Sequence, residues 1–125
     1  MAKLYLLLCA LFGASGVALG AFGAHGLRGK VAENLLEAYK TGVQYQMIHV
    51  LALFGVVLLM QNWGNRLSLT LSGALFTLGI IFFSGSLYAL ALGGPRWLGP
   101  ITPLGGLMMI AGWVVLFFAA FNFSK

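Results

Sequence analysis

The groups in this chain that could do acid–base, nucleophilic or metal chemistry are few: His25, His49, Cys9, Glu33 and Glu37. Glu33 and Glu37 stand one helical turn apart, the count of a hydrolytic acid pair. They share their stretch with Arg28, Lys30 and Lys40, and they read as solvated surface. No Asp or Glu lies within the apolar runs to orient a histidine, so no nucleophile–base–acid set is legible. Cys9 is alone, which excludes an intramolecular disulfide and a multi-cysteine metal site. Within its apolar run it reads as a small buried hydrophobe. The two histidines fall at different depths with no acidic or thiol ligand beside them, so neither a metal nor a haem site is expected, and no cofactor. Gly20-x-x-Gly23-x-x-Gly26 is not a phosphate loop, because no strand precedes it. The expectation is a non-enzyme.

The elements that position these groups follow from composition. Of 125 residues, 61% are hydrophobic and 7% charged, where a soluble domain carries about a quarter charged. The solvent for most of this chain is therefore lipid. The net charge of +5 does not indicate nucleic acid, since the cations sit at the ends of apolar runs rather than on a stripe. Lys3 and the run after it resemble a signal peptide, and Cys9 resembles a lipoprotein cysteine. Leu8 is too bulky for that processing, and three more apolar spans follow, so the first run is read as a retained transmembrane helix.

The fold class is all-α: one integral membrane domain over residues 1–125, a four-transmembrane-helix bundle. Span one runs from about Leu4 to Ala24. Residues 31–39 carry Val31, Leu35, Leu36 and Tyr39 at helical spacing and are expected to form a short amphipathic helix in the interface plane. Span two runs from about Thr41 to Met60, with Trp63 at the far interface. Span three runs from about Leu67 to Leu92. Span four runs from about Ile101 to Phe123, with Pro103 tolerated in its first turn. Four spans put both termini on one side, A. Side A carries Lys3, Arg66 and Lys125, and side B carries Arg28, Lys30, Lys40 and Arg96. That balance does not orient the chain, and the termini are assigned to the cytoplasm as a working orientation.

Depth gathers the polar residues. Span one ends at B with His25. Span two starts there with Gln44, Tyr45, Gln46 and His49. Span three ends there with Ser84, Ser86 and Tyr88, and span four starts there with Thr102. Tyr45, Gln46 and His49 can share one face. An imidazole left unpaired in hydrocarbon is costly, and Ser84, Ser86 or Tyr88 lie at a depth to pair with it. Two readings of His49 stand. Ionisable groups inside membranes mark functional sites, and neutral polar groups also join helices by hydrogen bonds worth about 1 kcal/mol. His25, at headgroup level, also reads as a helix terminus or interfacial anchor. In span one, Gly13, Gly16, Gly20, Gly23 and Gly26 recur every three or four residues. They form a bare face that admits a neighbouring backbone.

Gly20-Ala-Phe-Gly-Ala-His-Gly26, Thr41-Gly-Val-Gln-Tyr-Gln46 with His49, Phe83-Ser-Gly-Ser-Leu-Tyr88, Thr102-Pro-Leu-Gly-Gly106 and Gly112-Trp113 resemble the small inner-membrane proteins of domain-of-unknown-function family 423. Eukaryotic transmembrane protein 256 is similar. The resemblance spans nearly the whole chain. It implies a bacterial inner-membrane protein of several helices, and it implies no biochemical activity.

The functional expectation is a polar, partly water-accessible pocket in the B half. It would be lined or supported by His25, Gln44, Tyr45, Gln46, His49, Ser84, Ser86, Tyr88 and Thr102, and would bind a small ligand, a lipid headgroup or a partner. Membrane lipids are the expected partners, with a homo-oligomer or another membrane protein as further options, and no nucleic acid. The alternatives are a homo-oligomeric transporter or channel subunit, and a structural or assembly subunit of a membrane complex. Polar groups confined to one leaflet speak against a pore, and no inverted repeat is evident.

Overall fold

The computed structural model describes residues 1–122. Phe123, the expected end of span four, and the side-A cation Lys125 lie outside the described residues. Four helices are long and apolar enough to cross a membrane. They are α1 (Ala2–Leu27), α2 (Glu33–Trp63), α3 (Leu67–Ala91) and α4 (Ile101–Ala119). A short 3₁₀ turn, Arg96–Leu98, precedes α4. The chain stops α2 at Gly64 (φ 81°) and leaves α3 through Gly93 (φ 96°). Both are left-handed positions that glycine adopts without a Cβ clash.

The separate interfacial helix over 31–39 is absent. α2 is one continuous helix of 31 residues, about 46 Å long against a hydrocarbon core of about 30 Å. Its charged first two turns, Glu33 to Lys40, thus continue span two as one helix rather than forming a separate one. Nothing at Lys40–Thr41–Gly42 breaks the helix. Thr41 Oγ1 donates to the Glu37 carbonyl at 3.0 Å, and Gly42 stays helical because α3 packs against it. A Cβ there would lie 3.0 Å from the Tyr88 ring.

α1 packs along α2, α2 along α3, and α3 along α4. Between α2 and α3 lie Leu53, Val56, Leu69 and Phe76, all without exposure. The glycine face of α1 meets α2 as its spacing predicts. Cβ atoms at Gly13, Gly16, Gly20 and Gly23 would face Val50, Met47 with Gln46, Val43 and Tyr39 in turn. Gly26 lies past this seam, against Phe22 of its own helix.

Two π-helical turns interrupt the α ladder, at Gly23–Leu27 and Ile80–Ser84. The second sits where three helices converge. Gly105 of α4 presses on the Phe83 backbone amide, and a Cβ at Gly79 would lie 3.1 Å from the Gly105 carbonyl. Close backbone approach of this kind is how membrane helices gain packing energy without a hydrophobic driving force.

Candidate functional site

Gln46 is the centre of the polar half. It is buried on the inner face of α2. Its Nε2 donates to the Phe12 carbonyl at 2.8 Å and to Ser15 Oγ at 3.2 Å, and its Oε1 accepts from the Tyr88 hydroxyl at 2.6 Å. One amide thus ties α1, α2 and α3. The bare α-carbon of Gly16 makes this possible, since a Cβ there would lie 3.2 Å from Gln46 Nε2. Tyr88 packs on Tyr39 with ring centroids 5.0 Å apart, and the Tyr39 hydroxyl donates to the Leu19 carbonyl at 2.6 Å.

The serines of α3 follow the same pattern. Ser84 Oγ donates to the Gly42 carbonyl at 2.6 Å. Ser86 donates to the Phe83 carbonyl and shares a short hydrogen bond with the Thr102 hydroxyl, joining α3 to α4. At His49, Nε2 receives the indole N–H of Trp113 at 3.0 Å, and Nδ1 lies 2.8 Å from the Tyr45 carbonyl. An acceptor at Nε2 leaves the ring proton on Nδ1, where a carbonyl awaits it. The neutral ring is satisfied at both nitrogens. Tyr45 stacks on it and Phe76 meets it edge-on.

Among the described residues, no buried side-chain nitrogen or oxygen lacks a partner. The nine residues expected to line one pocket fall into three groups. Gln46, Ser84, Ser86, Tyr88 and Thr102 form a network of separate hydrogen-bonded links between helices, because hydrocarbon penalises each polar atom left unpaired. His25 and Gln44 are exposed outside that network. Tyr45 and His49 line an open recess.

That recess is a groove of about 360 Å³ between α2 and α4, floored by Phe83 of α3. Thr41 and Tyr45 stand at its B end, and His49, Met109, Ile110 and Trp113 continue it inward. Thr41 to His49 spans about 12 Å of helix. The half-exposed Tyr45, Ile110 and Trp113 leave it open sideways to lipid. A second cavity, of about 530 Å³, lies at the B rim between the π turn of α1 and the projecting end of α2. Arg28, Glu33 and Lys40 supply its charges.

Trp113 is the partner that span-by-span reading missed. An indole N–H well inside a span needs an acceptor, and that was the available signal. Glu33 reads from the sequence as solvated surface and Arg28 and Lys40 as cations at span ends, and all three are exposed; the cavity they share comes from the chain reversal at Gly29, which brings Arg28 back to α2. Among the described residues, no three of His, Cys, Asp and Glu come together to hold a metal.

Comparison with known proteins gives a consistent result. The family described as "Protein of unknown function (DUF423)" matches residues 19–106. A UPF0382 membrane protein of Staphylococcus haemolyticus is 44% identical over 121 residues, 97% of this chain and 98% of its own. The UPF0382 membrane protein YwdK of Bacillus subtilis is equally similar over the same shares. A UPF0382 membrane protein of Haemophilus influenzae is 42% identical over 124 residues, 98% of this chain and 97% of its own. No solved structure matches the chain. On the extent of these matches the chain, a multi-pass membrane protein with four helices long and apolar enough to span, belongs to the DUF423 family and is a relative of the UPF0382 membrane proteins.

Proposed function

We propose that this protein is a non-enzymatic lipid-binding protein of the bacterial inner membrane, holding the apolar chain of one membrane lipid in the groove between α2 and α4. The observation that carries this reading is the groove itself. It is an aromatic-walled recess whose open side faces hydrocarbon and whose B end carries the Thr41 and Tyr45 hydroxyls. Its length suits a segment of lipid chain aligned with the membrane normal, with the polar end of the lipid towards Thr41 and Tyr45. His49 sits behind the groove with both ring nitrogens engaged, so it shapes the wall rather than moving a proton. Both termini lie on one side, because the spans are four, and in this reading that side is the cytoplasm. A reporter fused to the C-terminus tests the orientation.

Trp113 lines the groove and provides the test of lipid binding. With Trp63→Phe and Trp97→Phe, Trp113 becomes the sole indole. In vesicles doped with bromine-labelled lipid chains, its quenching should exceed that expected from the bulk fraction of the labelled lipid. Gly106→Phe, which fills the groove, should abolish the excess. Quenching that simply tracks bulk composition in both proteins overturns the proposal.

A further inference from the structure

The cavity at the B rim has a lining that the groove reading does not use. Gly23 and Ala24 of the π turn and Leu36 of α2 give it apolar walls, and Arg28, Glu33 and Lys40 give it two cations and one carboxylate. At about 530 Å³ it is within the size range of small-molecule sites. Its wall on α2 is the charged first stretch of a helix longer than the hydrocarbon core, and charged side chains at a span end belong at the headgroup layer. Among the described residues, the one ion pair is Lys40 with Glu37, at 3.7 Å between side chains more than half exposed. Such a pair is weak and exchangeable. Arg28 and Glu33 make no ion pair among the described residues, although both face the same recess.

A site with two cations and a carboxylate, none firmly committed to another, is matched by a ligand that carries both signs. A phosphate with an uncharged headgroup engages Arg28 and Lys40 but leaves Glu33 facing an anion. A phosphate with a tethered ammonium satisfies all three. We propose that this cavity binds the phosphoethanolamine headgroup of a phospholipid, with the phosphate between Arg28 and Lys40 and the ammonium on Glu33. The site is separate from the groove. Glu33, Leu36 and Lys40 lie about 150° round α2 from Thr41, Tyr45 and His49.

The test uses the full chain in detergent and titrates dihexanoyl phosphatidylethanolamine, dihexanoyl phosphatidylglycerol and inorganic phosphate by calorimetry. The ethanolamine lipid should bind about fivefold tighter than the glycerol lipid, the factor expected of one partly solvated ion pair. Glu33→Gln should erase that ratio while keeping the glycerol lipid bound, and Arg28→Gln should weaken both lipids. These side chains are exposed, so the variants keep the fold. Gly106→Phe should leave the ethanolamine preference intact, which separates this site from the groove. Equal binding of the two lipids overturns the proposal. So does a ratio unchanged by Glu33→Gln, or inorganic phosphate binding as tightly as the ethanolamine lipid.

Discussion

The indole N–H of Trp113 on α4 points at Nε2 of His49 on α2 across 3.0 Å. The contact sets the tautomer of a buried histidine and joins two helices that are not neighbours in the chain. It also bears on the two readings that the sequence leaves open for His49. Both nitrogens of the imidazole are engaged within the protein, by an indole and by the Tyr45 carbonyl, which supports the hydrogen-bonding reading.

Trp113→Phe should therefore destabilise the protein by about 1–2 kcal/mol, because it leaves Nε2 buried without a donor. Thermal unfolding in detergent measures this. A double-mutant cycle with His49→Leu should give a coupling energy of about 1 kcal/mol. Strict additivity would mean that the hydrogen bond contributes nothing.

Gln44 and Gln46 are two residues apart and should behave as opposites. Gln44 is exposed, whereas Gln46 is 3% exposed and makes three hydrogen bonds. Gln44→Leu should change stability by less than about 0.5 kcal/mol. Gln46→Leu strands the Tyr88 hydroxyl and takes the amide donor away from the Phe12 carbonyl and Ser15 hydroxyl of α1, and should cost about 2 kcal/mol. Equal effects at the two positions would show that the Gln46 network does not hold α1 to α2.

The glycine face of α1 should show graded sensitivity to alanine. At Gly13 the added Cβ would lie 3.9 Å from Val50, and at Gly20 it would lie 3.3 Å from Val43. At Gly23 it would lie 2.6 Å from the Tyr39 ring, which its own hydrogen bond to Leu19 holds in place. Gly13→Ala should be near neutral, Gly20→Ala mildly destabilising, and Gly23→Ala should cost about 1–3 kcal/mol. Unfolding midpoints in detergent give the order, and an inverted order would separate α1 from the seam described here.

This gradient also marks how far the sequence is legible. The glycine spacing named the packed face of α1 because a period near 3.6 is carried by one helix alone. The four spans were legible because an apolar run long enough to cross a bilayer is likewise a property of one segment alone. Depth brought Gln46, Tyr88, Ser84, Ser86 and Thr102 to one half of the bilayer, and the structure joins Gln46 to Tyr88 and Ser86 to Thr102. What depth could not give is azimuth. It did not separate Gln44 from Gln46, nor show that the convergent groups would pair with each other rather than line a cavity. The rim cavity depends on the reversal at Gly29 and on α2 running unbroken through Lys40. Both are tertiary outcomes, and the local amphipathic pattern over 31–39 pointed instead to a separate helix.

Gly105 and Gly106 are adjacent and face different things, which makes a sharp final test. At Gly105 a Cβ would run into the backbone amide of Phe83, within the π turn of α3. At Gly106 the nearest atom would be a Phe83 ring carbon at 3.6 Å, an ordinary contact at the edge of the groove. Backbone cannot move aside as a flexible side chain can, so α3 and α4 must separate to admit alanine at 105. Gly105→Ala should cost about 3 kcal/mol or prevent stable folding, and Gly106→Ala should be within about 0.5 kcal/mol of the parent. Unfolding in detergent compares the two directly. If Gly105→Ala is as stable as Gly106→Ala, then α3 and α4 do not touch backbone to backbone at the π turn, and the floor of the groove is built differently from the one described here.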